Sequence, residues 1–327
     1  MFIKDVENVI IDEAILYCYS YDVSHYSHLP DIVIRPSNTE EISKIVRFAF
    51  ENNIPIVPRG AGTGASGGSV PIKGGILIDL TKMNKILNIS IKDLQVTVQP
   101  GVVHANLNKE LEKYGFRFPV KPGSSEMCTI GGMVANNASG LNAVKYGSTR
   151  DYVLKLEVVL PDGTIANFGS NTIKDVSGYD LCSLFTGSEG TLGIITKITL
   201  KIIPLPEKVG VLVASFSRLR DAGDAVIASF QARVIPSAIE ILDKSSIEAL
   251  NKFRPDLQLG NYEAILLYEF DGSSECIKKE MEIIKNVCEQ YGAKNIKMTL
   301  DEKERNKIWA ARSLVGAAAS RIKEGYS

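Results

Sequence analysis

The stretch Pro58–Gly68, reading PRGAGTGASGG, places five glycines (Gly60, Gly62, Gly64, Gly67 and Gly68) within eleven residues. That density excludes a helix or strand interior, where each glycine costs about 0.5–1 kcal/mol relative to alanine. A short apolar strand, Ile54–Val57, leads into it. Residues without a Cβ can take φ > 0, so successive N–H groups can turn into one concavity, a nest that holds an anion, most often a phosphate or diphosphate. A loop with no ligand is the plain alternative. Residues 62–67 also fit G-x-G-x-x-G, but that fingerprint requires a helix directly after the loop and an acid about 20 residues on. Here Gly68-Ser69-Val70-Pro71 follows, then Gly74-Gly75 and the strand-like Ile76–Leu80, so the Rossmann reading is set aside.

Length and charge narrow the setting. The 327 residues allow two domains and a sizeable core. With 45% hydrophobic and 23% charged residues, the composition is that of a globular protein. A net charge of −1 gives no electrostatic footprint for nucleic acid. No apolar run reaches the length of a membrane span. Asp5, Glu7, Asp12 and Glu13 argue against a signal or transit peptide. The five cysteines (Cys18, Cys128, Cys182, Cys276, Cys288) are far apart and include no C-x-x-C. They read as buried free thiols in a reducing cytoplasm, with no iron–sulfur cluster in this chain. His25 and His28 lack a third ligand nearby, so no metal site is expected.

Hydrophobic spacing sets the elements. Asp31–Asn53 reads as strand, turn and helix. Ser37-Asn38-Thr39-Glu40 resembles a capping box, and Ile42, Ile45, Val46, Ala49 and Phe50 form one apolar face before Pro55. Strands follow at 54–58, 75–80 and 94–99, then a helix over 104–114 closed by Gly115. A second glycine-rich zone, Lys121–Gly147, is long and poor in charge; its Met127, Ile130, Met133, Val134 and Leu141 argue for order, packed against something flat and bulky. Residues 151–160 and 164–168 form a hairpin about Pro161-Asp162-Gly163. A third cluster, Gly187–Gly193, precedes a strand running through Leu200 and Ile203. Pro204 and Pro206 mark a boundary, giving domains 1–206 and 207–327. Beyond it, strands at 209–216, 238–242, 262–270 and 295–300 intersperse with helices at 219–232, 245–253, 274–291 and 302–323. With the short second helix set aside, strand–helix–strand twice over suggests a ferredoxin-like layer, and the fold class is α+β.

Three glycine clusters in this order and spacing resemble the FAD-binding domain of the vanillyl-alcohol-oxidase type, in the branch of the glycolate oxidase FAD subunit and D-lactate dehydrogenase. The runs that carry the resemblance are PIVPRGAGTGASGG (Pro55–Gly68), VQPGV (Val98–Val102), PGSSEMCTIGGMVANNASG (Pro122–Gly140), KYGSTRDYVLKLEVVLPDG (Lys145–Gly163), KDVSGYDL (Lys174–Leu181) and FTGSEGTLGIITKITLKIIPLP (Phe185–Pro206). The resemblance covers about residues 30 to 210 strongly, and the remainder resembles part of a cap domain. The resemblance implies a two-subdomain FAD-binding domain followed by an incomplete ferredoxin-like cap domain, with FAD between the subdomains. Pro58, Arg59, Gly60, Ala61, Gly62, Thr63 and Gly64 would cradle the diphosphate through the amides of Arg59–Gly64, with the Thr63 hydroxyl as a further donor. Pro122, Gly123, Ser124, Thr129, Ile130, Gly131, Gly132, Asn136 and Gly140 would run along the diphosphate, ribityl chain and isoalloxazine edge, and Tyr146 and Gly147 would close that wall. Glu189, Gly190, Gly193 and Ile195 would line the adenosine and flavin side. Several of these have plainer readings: Gly131 and Gly132 as packing positions, Asn136 as a helix cap, Glu189 as a surface acid, Arg59 as half of an internal ion pair. Many relatives attach the flavin through a histidine just after the glycine loop. Gly60–Ser66 contains none, which implies non-covalent FAD.

In this family FAD takes a hydride from C2 of a small D-2-hydroxyacid, such as D-lactate or glycolate, and leaves the 2-oxoacid. The reaction needs a cation for the substrate carboxylate and a base for the hydroxyl proton. Ile308-Trp309-Ala310-Ala311-Arg312 resembles the family's W-x-x-R run, which makes Arg312 the candidate catalytic residue; an exposed helical arginine is the alternative. Trp309 reads as a packing residue and His104 as structural. The family's base and metal ligands are histidines in an H-x-H or H-H-G-D-G-N-type run, and no H-x-H occurs here. The expectation is therefore an FAD-dependent oxidoreductase whose catalytic base segment is missing from this chain. A truncated reading frame, a split gene with a partner chain, or a protein that binds FAD without this oxidation would each account for it. The alternative function is a non-catalytic FAD-binding or electron-transfer subunit. An alkylglycerone-phosphate synthase type would need further phosphate-binding residues. The electron acceptor, which an iron–sulfur subunit could supply, and the oligomeric state stay open, although an unfinished cap favours association.

Overall fold

The computed structural model describes residues 8–320, so Asp5, Glu7 and the expected helix end at Lys323 lie outside the described residues. The chain divides into two units. One runs to Gly140 and resumes over Gly147–Leu205; the other takes Leu141–Tyr146 together with the chain from Pro206 onward.

The first unit begins with β1 (Val9–Ile10), α1 (Glu13–Cys18), β2 (Ile32–Ile34), α2 (Thr39–Glu51), β3 (Ile56–Arg59) and β4 (Ile76–Asp79). The sheet order is β1-β2-β4-β3, with β4 parallel to both β2 and β3 and β1 antiparallel to β2. Helix α2 starts where the Asn38 side chain accepts the Glu41 N–H at 2.9 Å and Glu41 reaches back to the Ser37 N–H at 2.7 Å. The cap is thus Asn38 with Glu41, one residue later than the sequence reading, because Glu41 rather than Glu40 falls at the third helical position. Ile42, Ile45, Val46 and Ala49 pack on Ile32, Ile34, Ile76 and Ile78. Each large side chain buried this way contributes about 1.5–3 kcal/mol, more than helix propensity alone supplies. Phe50, expected on that face, lies past its edge and is 61% exposed.

The same unit continues with β5 (Ile86–Ser90), β6 (Gln95–Val98), α3 (His104–Glu112), β7 (Phe116–Arg117) and α4 (Ile130–Ala135). After α5 (Ala143–Tyr146), which belongs to the second unit, come β8 (Val153–Val159), β9 (Ile165–Gly169), α6 (Leu181–Phe185), β10 (Ile194–Lys201) and β11 (Ile203–Pro204). An antiparallel sheet runs β5-β6-β10-β8-β9, and β7 pairs with β11 in a short ribbon. Val159 and Ile194 from this sheet join the core around α2, so the helix is packed between two sheets.

The second unit holds β12 (Lys208–Phe216), α7 (Leu219–Gln231), β13 (Ala238–Asp243), α8 (Lys244–Phe253), β14 (Ala264–Gly272), α9 (Ser274–Gln290), β15 (Asn295–Thr299), α10 (Glu302–Ser313) and α11 (Val315–Ser320). Its antiparallel sheet runs β13-β14-β12-β15, the ferredoxin-like order. Strand alternation explains the layering. Leu212, Ala214 and Phe216 face the core formed with α7 and α9, while Val213, Ile265 and Leu267 face α8 and α11. The helix expected over 302–323 breaks at Leu314 into α10 and α11.

Candidate functional site

Three segments of the first unit line one cleft of about 640 Å3, a size usual for cofactor sites. The loop after β3 contributes Pro58, Arg59, Gly60, Ala61, Gly62, Thr63 and Gly64. The segment around α4 contributes Pro122, Ser124, Thr129, Gly131, Gly132 and Asn136. The turn before β10 contributes Glu189, Gly190, Gly193 and Ile195. The cleft also takes in Ala65, Ser66, Gly68, Ser69, Cys128 and Met133, which the sequence reading left out. The unbroken small-residue run through Ser69 was the available signal for the first four; nothing local marks Cys128 or Met133.

Five expected residues lie elsewhere. Gly123 is not part of the lining. Ile130 is fully buried and its N–H donates to Val102 O at 2.8 Å. A Cβ on Gly140 would strike the Lys121 carbonyl, so that glycine serves close backbone packing. Gly147 sits at φ 73° against Asp151. Tyr146 belongs to the second unit, where its hydroxyl donates to Asp271 Oδ2 at 2.8 Å beside the Lys145 ammonium at 2.7 Å from Oδ1. Asp271 draws this tyrosine away because a carboxylate with a 2% exposed side chain needs such donors.

Accounting for each amide identifies what the cleft can bind. At the start of α4 the amides are used internally: Gly131 N–H donates to Pro100 O at 2.8 Å, and Gly132 N–H donates to Thr129 Oγ1 at 3.2 Å. Among the described residues, by contrast, the amides of Gly62, Thr63, Gly64, Ala65 and Ser66 donate to no protein acceptor. Gly62 takes φ 68°, and a Cβ on Gly64 would project into open space. The other walls hold their shape through backbone bonds. Gly187 N–H and Glu189 N–H donate to Val134 O and Ala135 O, each at 2.9 Å. The Asn136 amide donates to Gly132 O at 3.0 Å, which makes it a helix cap facing the cleft.

Three ionisable groups have distinct settings. Arg59 is 8% exposed and hydrogen-bonded to Ser69 O at 3.3 Å, so its side chain is turned into the protein. His104 is 2% exposed; Asn108 Nδ2 donates to its Nε2 at 3.1 Å, which leaves Nδ1–H to donate to Ser125 Oγ at 2.7 Å. Burial, with Lys121 adding to it, pushes this imidazole down to about 4 and keeps it neutral. In the second unit Arg312, on α10, gives Nη2 and Nε to Glu240 Oε2 at 2.9 and 3.2 Å. Among the described residues, no group of three or more His, Cys, Asp or Glu is placed to hold a metal ion. No described helix is long and apolar enough to cross a membrane.

A strand that opens into acceptor-free amides, in an α+β unit, forms a cradle whose chemistry suits an anion such as a phosphate or diphosphate. Comparison with known proteins makes the class specific. The family described as FAD binding domain matches residues 30–169, and that described as FAD linked oxidases, C-terminal domain, matches residues 205–326. Glycolate oxidase subunit GlcD of Bacillus subtilis is 40% identical over 306 residues, covering 93% of this chain and 65% of that protein. The probable mitochondrial D-lactate dehydrogenase of Danio rerio is 38% identical over 323 residues, covering 98% and 64%. Among solved structures, alkyldihydroxyacetonephosphate synthase aligns with a TM-score of 0.79 at 22% identity, over 97% of this chain and 61% of that one. For p-cresol methylhydroxylase the TM-score is 0.81 at 19% identity, over 98% and 70%. These two likenesses speak to the fold alone.

The chain belongs to the FAD-linked oxidases of the vanillyl-alcohol-oxidase type, in the branch of the glycolate oxidase FAD subunit and the D-lactate dehydrogenases. It spans about 65% of the length of the GlcD relative. FAD is the cofactor of this domain. The residues fit it: the free amides of Gly62–Ser66 suit a diphosphate, and at Gly60 a Cβ would fill the space against Thr129.

Proposed function

We propose that this chain is the FAD-carrying part of an enzyme that oxidises a small D-2-hydroxyacid, such as D-lactate or glycolate, to the 2-oxoacid. The observation that carries the reading is the run of acceptor-free amides at Gly62–Ser66 inside the matched FAD binding domain. Relatives named glycolate oxidase subunit and D-lactate dehydrogenase support the substrate class. Bound FAD supplies the hydride acceptor. The protein's part is to hold the cofactor and the substrate. In this reading residues 1–206 form the cofactor domain and 207–327 part of the substrate domain. The cleft-lining residues from Pro58 to Ile195 described above hold FAD without a covalent bond, since Gly60–Ser66 offers no histidine. Arg312 presents its fork to the substrate carboxylate, with Glu240 as its partner in the free protein. His104 is not offered as the base, because both ring nitrogens are engaged. The electron acceptor, an iron–sulfur subunit among the candidates, is assigned to another chain; relatives from Bacillus subtilis and Escherichia coli are named as subunits. The free cysteines support a cytoplasmic setting.

An absorption spectrum of the purified chain, before and after anaerobic D-lactate or glycolate, tests this. A flavin spectrum that the acids do not bleach is the expected result for a part that carries the cofactor without the base. Folded protein without flavin overturns the cofactor assignment. Bleaching by either acid would mean that this chain holds a working base as well.

A further inference from the structure

The sheet β5-β6-β10-β8-β9 has two unlike faces. Residues two apart on a strand share a face, and Val96, Val98, Leu156, Val158, Ile198 and Leu200, all buried, make the inner one. The other face carries Thr97, Lys155, Asn167, Lys197 and Thr199. With Asn171 these line a pocket of about 170 Å3 that shares no residue with the cofactor cleft. That volume falls short of the roughly 300–1,000 Å3 usual for organic ligands and cofactors, so it suits a small ion.

Strand register explains the hollow. Thr199 lies opposite Thr97 on one side and Lys155 on the other. Lys155 in turn lies opposite Gly169, which brings no side chain over it. Gly169 takes φ 76°, and a Cβ there would strike the Leu154 carbonyl, so glycine is what lets the chain turn as it leaves β9. The turn that follows is tied down at a distance: Gln95 Nε2 on β6 donates to the Asn171 carbonyl. Strand β6 is three places from β9 in the sheet, about 14 Å. The turn therefore reaches across the polar face and walls the pocket.

The lining is built of donors. Lys197 Nζ stands 2.9 Å from Glu157 Oε2, whose other oxygen accepts the Thr39 and Thr196 hydroxyls at 2.8 and 2.9 Å. The Lys155 ammonium has no acceptor among the described residues, nor have the side-chain amides of Asn167 and Asn171. The hydroxyls of Thr97 and Thr199 lie 3.0 Å apart. One of their two protons fills that bond and the other is left to donate. Thr199 is only 5% exposed, so its hydroxyl is placed by the sheet itself. Two ammonium groups against one carboxylate leave a local surplus of positive charge. The chain as a whole carries −1 and offers an anion no diffuse attraction.

We propose that this pocket is a site for a small oxyanion of the phosphate type, held by the Lys155 and Lys197 ammonium groups with the Thr97–Thr199 pair and the two asparagine amides as neutral donors. Lysine supplies a point charge with three rotatable donors, which suits a tetrahedral oxyanion. The site stands apart from the flavin chemistry and does not rest on it. The same lining takes free phosphate or the phosphate of a monoester, because the pocket opens to solvent on the sheet face.

The test follows the phosphorus-31 line width of inorganic phosphate, and separately of glycerol phosphate, on addition of the full chain saturated with FAD. Chloride holds the ionic strength constant. Wild type should broaden the line saturably. Lys155→Gln should weaken binding by about tenfold and Lys155→Arg should restore most of it, whereas Lys279→Gln on α9, the same charge change elsewhere, should alter it by less than about twofold. Asn171→Ala, in the exposed turn, should cost about threefold and gives a second readout. Tighter glycerol phosphate would mark a monoester site and tighter inorganic phosphate a site for the free ion. Broadening that does not saturate overturns the proposal, as does equal weakening by Lys155→Gln and Lys279→Gln. Binding seen only without FAD belongs to the cofactor cleft and overturns it as well.

Discussion

Replacing Gly60 by alanine tests how the nest is joined to α4. Gly60 is not among the residues with positive φ, so the cost is steric. A Cβ there would overlap Thr129 Oγ1 and lie 3.5 and 3.6 Å from Thr129 Cβ and Cγ2. Thr129 is 2% exposed, and its Oγ1 caps α4 by accepting the Gly132 N–H at 3.2 Å. Making room turns that hydroxyl away. Losing the cap costs about 1 kcal/mol, and overpacking a buried site adds about 1–3 kcal/mol. Gly60→Ala should therefore destabilise by about 2–4 kcal/mol. Thr129→Ala alone removes the cap and a buried methyl group, at about 1–2 kcal/mol. In the double variant the new methyl enters space the threonine has left, so the losses do not add, and the coupling should be at least about 1 kcal/mol in the stabilising direction. Urea unfolding of the four flavin-free proteins, followed by circular dichroism, measures it. Losses that add within about 0.5 kcal/mol would refute the direct contact between the nest and the cap.

Three further outcomes follow from burial. The His104 pKa is depressed from 6.5 to about 4, so the unfolded chain binds more protons in that window and the native state loses stability as pH falls through it. The contribution is about 3 kcal/mol at most, and the gap between wild type and His104→Gln should narrow from pH 7 toward pH 4; a constant gap would refute it. Lys145→Met leaves the buried Asp271 carboxylate without its ammonium partner and should destabilise the second unit by about 2–4 kcal/mol. The single tryptophan, Trp309 on α10, lies in that unit, and an unchanged unfolding midpoint in its fluorescence would contradict this. With an aromatic disulfide reagent, Cys18 and Cys276 should react fast and Cys128, Cys182 and Cys288 only on unfolding. Burial raises the last three, Cys182 to about 11 and Cys288 to about 12. Rapid modification of any buried thiol would count against the packing.

What was legible in the chain depended on how local the cause was. Ile42, Ile45, Val46 and Ala49 announce α2 because a period of 3.6 needs only neighbouring residues. The second sheet's edge strand β5 was missed, since Asn88 and Ser90 break its apolar run and its pairing with β6 is a tertiary fact. Helix α4 was hidden by Gly131 and Gly132, which weaken helix propensity. That Leu141–Tyr146 belongs with the second unit could not be read at all, because the reason is Asp271, 126 residues beyond Lys145.

The candidate site divides along the same line. Glycine density locates the nest because backbone freedom is written into residue type. Whether an amide remains available to a ligand depends instead on what accepts it. Gly131 and Gly62 look alike as letters, yet Pro100 takes the N–H of the first and no described residue takes that of the second. Arg59 shows the same limit for charge. Its amide reads as part of the cradle and its side chain as half of an internal ion pair, yet the described acceptor of the guanidinium is the Ser69 carbonyl at 3.3 Å. A motif therefore identifies which backbone can bind, and the distribution of hydrogen-bond acceptors around it decides which of its atoms do.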